Sequence, residues 1–536
     1  MEFKYPVSDV LYGKDNIIYV LSESPQGEIY ILDKDFKVIR IFTTGASYPS
    51  DMCFSEKNNT FWVTDRFRNR ILQLNKEMNK MLGAVNVGRE PISISAINNG
   101  EKIIVANNLP LMRADKYPVC ARIDIIDALT ATVDKIIDLP NGSTDIKDMA
   151  VSPDGKNAYI THLLSRYQLP TNQLDRGWMV TNAISVLNLD SLSLINTILL
   201  DTPQKGAPNP KGINISDNGQ FIYIAISGSN EIAIINREQL NNRLDSIYNN
   251  IQVVPSSDKF SDIVNDAGFL YGIRNFYQSG GRGPRDVISF GDKLYVANYF
   301  SGTVAVINLD SNETKNLTLG KPITITKEGE GEYYFHSAEY AYQNWQSCAT
   351  CHPNDARTDG LNWDLLNDGM GNPKNTKSLL YSHKTAPCMI TGIRKDAYAA
   401  VRSGIKYILF ANVDENIANC IDAYLLSLNA LQSPYLKEGK LSHKAEKGKI
   451  IFDKSCIECH KGEFYTDGKL YDINWSIGHD KNIKMDVPTL REVWRTAPYL
   501  YDGRSLTIKE MLNIHGTPFE ISNEQAEELE EYVLSL

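Results

Sequence analysis

Ile215-Ser-Asp-Asn-Gly-Gln-Phe-Ile-Tyr-Ile224, followed by Glu231-Ile-Ala-Ile-Ile235, gives a turn, a short apolar strand, a second turn and a partner strand. The same order recurs along the first part of the chain. It is visible at Asp15-Asn-Ile-Ile-Tyr-Val20 with Glu28-Ile-Tyr-Ile-Leu32, at Asn59-Thr-Phe-Trp-Val63, and at Gly100-Glu-Lys-Ile-Ile-Val105. It returns at Gly155-Lys-Asn-Ala-Tyr-Ile160 with Ala183-Ile-Ser-Val-Leu187, and at Gly291-Asp-Lys-Leu-Tyr-Val296 with Thr303-Val-Ala-Val-Ile307. Short strands joined by Gly, Asn and Asp turns, repeating at about 40 residues or more, predict an all-β propeller. Six units are legible. The weakly patterned stretch 237–280, or both ends of the domain, could assemble a seventh blade.

Two stretches interrupt the strand-and-turn pattern, Leu109 to Ala121 and His162 to Asn182. Propeller loops are where function is mounted. The second carries His162, Arg166, Arg176 and Trp178, which suits either a cover over a cofactor or a contact loop. His162 is accordingly a candidate iron ligand, and an ordered loop packed on the rest of the chain is the plainer reading.

Two pentapeptides of the form Cys-x-x-Cys-His, Cys348-Ala-Thr-Cys351-His352 and Cys456-Ile-Glu-Cys459-His460, occupy the last third. Two thiols three positions apart can form thioethers to the vinyl groups of one haem, and the next residue then places an imidazole under the iron. The expected cofactors are two covalent c-type haems, held by Cys348, Cys351, His352, Cys456, Cys459 and His460. A four-Cys zinc site would leave both histidines unexplained. Of the remaining cysteines, Cys388 and Cys420 are either a disulfide or two separate buried thiols.

Beyond Gly320 the pattern turns helical, at 332–346, 416–428 and 523–536, with a break at 433–439 before the second pentapeptide. The division expected is a propeller over 1–325 and two mainly α cytochrome c-like domains over 326–436 and 437–536. The 536 residues carry a formal charge of -10, which argues against a nucleic-acid partner. No apolar run is long enough to span a bilayer. Haem attachment of this kind is extracytoplasmic in bacteria, so the expected location is the periplasm, with a leader removed ahead of Met1 and a lipid anchor as a variant.

The segments Ser347-Cys-Ala-Thr-Cys-His352, Asn372-Pro-Lys-Asn-Thr376, Val487-Pro-Thr-Leu-Arg491, Thr496-Ala-Pro-Tyr499 and Asp502-Gly503 resemble the bacterial dihaem cytochrome c peroxidase and MauG superfamily. Val151-Ser-Pro-Asp-Gly155 and Ile215-Ser-Asp-Asn-Gly219 are similar to the YVTN-type propeller repeat, whose members usually have seven blades, so the resemblance makes seven the first expectation and six the alternative. The cytochrome resemblance implies that His515, just before Gly516, is the sixth ligand of the second haem, making it bis-histidine. It also implies a calcium ion held by Asn375 and the carbonyls of Thr496 and Pro498.

The first haem departs from the family pattern. Leu366-Asn-Asp-Gly-Met-Gly371 stands where many relatives have a distal His, so His383, Met370 and Met389 become candidates for a weak sixth ligand. Ile390 replaces the family's bridging Trp, with Trp345, Trp363 and Trp494 as substitutes, and Asp396 is the only carboxylate in the stretch where peroxidases keep a Glu. The implied function is a dihaem redox enzyme, reacting with peroxide, oxygen or an organic or protein donor at the first haem. The alternative is a non-catalytic electron-transfer module with the propeller as docking platform. A redox partner protein or small oxidant is expected in either case.

Overall fold

The computed structural model describes residues 2–13, 16–169, 179–320, 323–364 and 371–536. The chain divides into two compact units. The first comprises Met1–Pro110, Cys120–Leu164 and Asn182–Pro322, and the second Leu111–Val119, Ser165–Thr181 and Ile323–Leu536. Among the described residues no helix is long and apolar enough to cross a membrane.

The first unit is a six-bladed propeller of four-stranded antiparallel sheets, and in every blade the four strands follow one another along the chain. The expected seventh blade does not exist. The stretch proposed for it folds as a helix, Arg237–Tyr248, a short 3-10 turn, Phe260–Asn265, and one strand, Arg274–Gln278, which is the outer strand of the fifth blade. The chain ends cannot build it either, since Val7–Tyr12 opens the first blade and Thr314–Thr318 closes the sixth.

Strand alternation buries apolar rows between adjacent blades, as where Ile184, Val186 and Ile198 of the fourth pack on Ile213, Ile222 and Ile224 of the fifth. Each such side chain contributes roughly 1.5–3 kcal/mol on burial. The Ser-x-Asp/Asn-Gly turns are explained by local bonds. Ser152 Oγ donates to Asp154 Oδ1 (2.5 Å) and accepts from Asn157 N (3.0 Å). Ser216 repeats this with Asn218 and Phe221, while Gly155 and Gly219 take positive φ of 69° and 71°.

Asp9, Asp148 and Asp286 lie on the first strand of their blades and Asp51 just before one, and three of them bond across to a following blade. Asp51 accepts from its neighbour Met52 N and from Ile94 N of the next blade, both at 2.7 Å. Asp9 reaches Met52 N (3.2 Å), and Asp148 reaches Ile213 N (3.0 Å). Burial pushes all four carboxyls upward, Asp148 to about 7.

The second unit contains two copies of one helical framework. In the first copy Lys327–His336 crosses Glu415–Ser427, and in the second His443–Ser455 crosses Asn523–Leu534. Both crossings need glycine. A Cβ on Gly331 would lie 1.8 Å from Cys420 O, and one on Gly448 would lie 1.9 Å from Glu528 O. One turn further along, Phe335 meets Tyr424 with ring centroids 5.3 Å apart, and Phe452 meets Tyr532 at 5.2 Å.

The propeller insertion Leu111–Val119 belongs to this second unit, where Ala114 N donates to Gly503 O (2.9 Å). Ser165–Thr181 belongs to it as well. Pro170 to Trp178, with Arg176, lie outside the described residues.

Candidate functional site

Both pentapeptides end in an imidazole held by the backbone five residues on. His352 Nδ1 lies 3.2 Å from Arg357 O, and His460 Nδ1 lies 3.0 Å from Tyr465 O. A carbonyl oxygen only accepts, so Nδ1 carries the proton in each ring and Nε2 carries the lone pair a metal needs. Burial pushes both imidazoles down to about 4, which keeps them in the neutral, ligating form. A second carbonyl bears on each ring as well, Lys377 in the first copy and Pro488 in the second.

His515 ends the helix Ile508–His515, which begins with a Thr507/Glu510 capping box and stops at Gly516 with φ 77°. Its Nδ1 lies 2.9 Å from Gly516 O, so its lone pair is also on Nε2. The rings of His460 and His515 have centroids 6.4 Å apart. Two imidazoles bound on opposite faces of one metal ion, with metal–nitrogen bonds of about 2.0 Å, place their centres about 6 Å apart. The pair therefore fits one iron between them.

His352 lines a cavity of about 290 Å³ together with Cys348, Cys351 and Trp363. One wall is the helix Ala397–Tyr407, whose alanines favour helix and whose cap, Asp396, accepts from Ala399 N at 2.8 Å. Asp396 is thus occupied in capping. Met389 lines the cavity, and so does Met179 from the second insertion. Trp363 donates through Nε1 to Asp359 Oδ2 (2.8 Å), Trp345 donates to Gln343 Oε1 (3.1 Å), and Trp494 lies under the Arg495 guanidinium.

The other candidates lie elsewhere. His383 is not in the cavity lining; its Nε2 donates to Asp422 Oδ1 at 2.8 Å, and that carboxylate also pairs with Arg402. His162 is fully buried in the propeller, on the strand Asn157–Ser165. Both ring nitrogens are engaged, Nδ1 with Leu163 O (2.9 Å) and Nε2 with Ser185 Oγ (2.8 Å). Met370 lies outside the described residues. Cys388 and Cys420 are separate buried thiols.

Asn375 and Pro498 come together at Gly503. A Cβ there would be 2.8 Å from Asn375 Nδ2 and 3.0 Å from Pro498 Cγ. The Asn375 amide donates to Asn362 Oδ1 (3.1 Å), and Thr496 Oγ1 donates to Val493 O (3.0 Å).

A buried ion pair joins the two copies. Arg357, whose carbonyl holds His352, makes a two-pronged contact with Glu492 at 2.7 and 3.1 Å, both side chains shielded from water. Sequence reading missed Glu492, whose signal is only an Arg five residues after a ligand His and a distant acid.

No family model matches this chain. It is similar to hydrazine synthase subunit gamma of Kuenenia stuttgartiensis, 23% identical over an alignment of 269 residues that covers 38% of this chain and 76% of the relative. It is also similar to the beta subunit from the same organism, 24% identical over 205 residues, 36% of this chain and 51% of that protein. The chain thus spans about half the length of the second relative. A solved structure titled Kuenenia stuttgartiensis Hydrazine Synthase aligns over 60% of this chain and 97% of its own, at 16% identity and a TM-score of 0.40.

Proposed function

We propose that the second unit is a dihaem c-type redox module of the cytochrome c peroxidase and MauG type. Cys348, Cys351 and His352 hold the first haem, and Cys456, Cys459, His460 and His515 the second. The observation that carries this reading is the 6.4 Å spacing of His460 and His515, set against a His352 that faces a cavity. Such haems supply iron that exchanges electrons and, where a face is open, takes a ligand.

The residues divide the work. His460 and His515 would both hold the second haem, which suits electron storage and transfer. His352 would hold the first haem beside a cavity that would admit peroxide, oxygen or an organic donor. Arg357 and Glu492 hold the two copies in register, so the distance an electron crosses is fixed by a buried contact. Asn375 with the carbonyls of Thr496 and Pro498 would hold a calcium ion at the same junction, a structural role. Likeness to hydrazine synthase subunits supports a place within a multi-subunit assembly, with a protein partner, and the haem attachment chemistry supports a periplasmic location.

The test is the mass and the ferric spectrum of the matured protein. Two covalent haems, about 1.2 kDa in added mass, with one low-spin bis-histidine signal and one high-spin, ligand-exchangeable signal are expected. Two haems that are both low-spin and inert to ligands would favour the electron-transfer module instead. One haem or none would remove the reading.

A further inference from the structure

We propose that Gly404 occupies the distal-ligand position of the first haem, and that its missing side chain is what leaves that haem open to a small ligand. This rests on the dihaem reading above and adds to it the residue that sets ligand access.

The two copies can be superposed residue by residue through local landmarks. An isolated bridge joins Cys388 to Arg394 in the first copy and Tyr499 to Ser505 in the second. Two residues beyond each bridge comes a helix cap whose side chain accepts from the third residue on, Asp396 to Ala399 N and Thr507 to Glu510 N. Met389 and Leu500, each one residue after the start of the bridge, share the left-handed conformation with φ 72° and 73°. Counting eight residues from the caps gives Gly404 in one copy and His515 in the other.

His515 is the residue that faces His460. Gly404 lines the cavity that holds His352, and a Cβ built on it meets nothing within 4 Å. The framework that turns an imidazole toward His460 in one copy thus presents only a hydrogen toward the His352 cavity in the other. Helix termination follows the same split. Gly516 stops the second helix directly after its histidine, whereas the first continues to Tyr407, with the Gly404 carbonyl accepting from Ile408 N (2.9 Å) and Leu409 N (3.0 Å).

Around Gly404 the wall is mostly apolar: Ala400 and Val401 lie one turn before it on the helix, and Met389 and Ile390 line the same cavity. Ser403 Oγ is spent on Ala399 O (2.8 Å) and Asp396 on its cap, so the Tyr407 hydroxyl is the proton-bearing group this helix brings to the lining. Lys374, Lys377, Arg394, Asp364 and Asp486 line the cavity from other segments. Carbon monoxide, a small ligand that needs no proton, probes access at Gly404 alone.

The experiment uses the matured full chain, with haem content fixed by mass. Wild type should bind one carbon monoxide per two haems in the ferrous state. Gly404→His should convert the high-spin ferric signal to low-spin and reduce carbon monoxide binding at that haem at least 100-fold. Gly404→Leu adds bulk without a ligand, so the haem should stay high-spin and bind at least ten-fold more slowly. Should the His variant not fold, the Leu variant decides alone. A two-haem wild type that binds no carbon monoxide, or two-haem variants that bind it at the wild-type rate, would overturn the assignment of Gly404. A loss of haem from wild type itself would instead defeat the dihaem reading.

Discussion

Gly331 and Gly448 let equivalent helices cross at backbone contact, Phe335 and Phe452 pack on equivalent tyrosines, and His352 and His460 are held by equivalent carbonyls. Eight residues into the next equivalent helix the copies part, one with Gly404 and the other with His515. On the proposed dihaem reading, a shared framework would present two different faces to its haems by changing one side chain. The attachment side would be set by the Cys-x-x-Cys-His motif, while the opposite side is a single position on a helix that folds without it.

The sharpest way to break this comparison is at the distal histidine. His515→Ala should convert the second haem completely from low-spin to high-spin while both thioether links remain. An unchanged low-spin electron paramagnetic resonance signal would place the ligand elsewhere.

Next in size is the contact that joins the copies. Glu492→Gln leaves the Arg357 guanidinium buried without its charge partner and should cost about 3–5 kcal/mol, read by chemical denaturation. The copies' likeness is probed by the crossing glycines. Gly331→Ala and Gly448→Ala each drive a methyl into a carbonyl oxygen, at a cost of about 3 kcal/mol, and the two losses should match. A variant with wild-type stability would show that its crossing is looser than the other.

The smallest effect separates a ligand histidine from one that is only packed. His162 is buried and neutral like His352, but both of its nitrogens already have protein partners. Its imidazole is pushed down from 6.5 to about 4 by burial. The stability it contributes is complete above pH 6.5, declines as pH falls toward 4 and is absent below. That swing is at most about 3 kcal/mol. His162→Gln should remove it, so the stability gap between wild type and variant should widen from pH 4 to pH 7. Parallel pH curves would remove the assignment.

Sequence alone carried much of this. The alternation of short apolar strands with Gly, Asn and Asp turns reports a propeller because strand period and turn chemistry are local properties. The two Cys-x-x-Cys-His segments carry the haem proposal because all the atoms that would react lie within five residues. His515 was reached through a resemblance rather than through any local pattern. Blade number was decided only in three dimensions, because the stretch 237–280 has too weak a pattern to exclude a blade until its helix and single strand are seen.

The ring of Asp9, Asp51, Asp148 and Asp286 was equally hidden. Each is one Asp ahead of an apolar residue, and only closure of the propeller brings carboxyls from separate blades within electrostatic reach of one another. Gly404 is the clearest case. A glycine in a helix says nothing by itself, and its meaning comes from the repeat that sets it opposite the position of His515. Local chemistry is written in short segments that need no partner, whereas ligand access depends on which distant segments the fold brings to the two faces of one site.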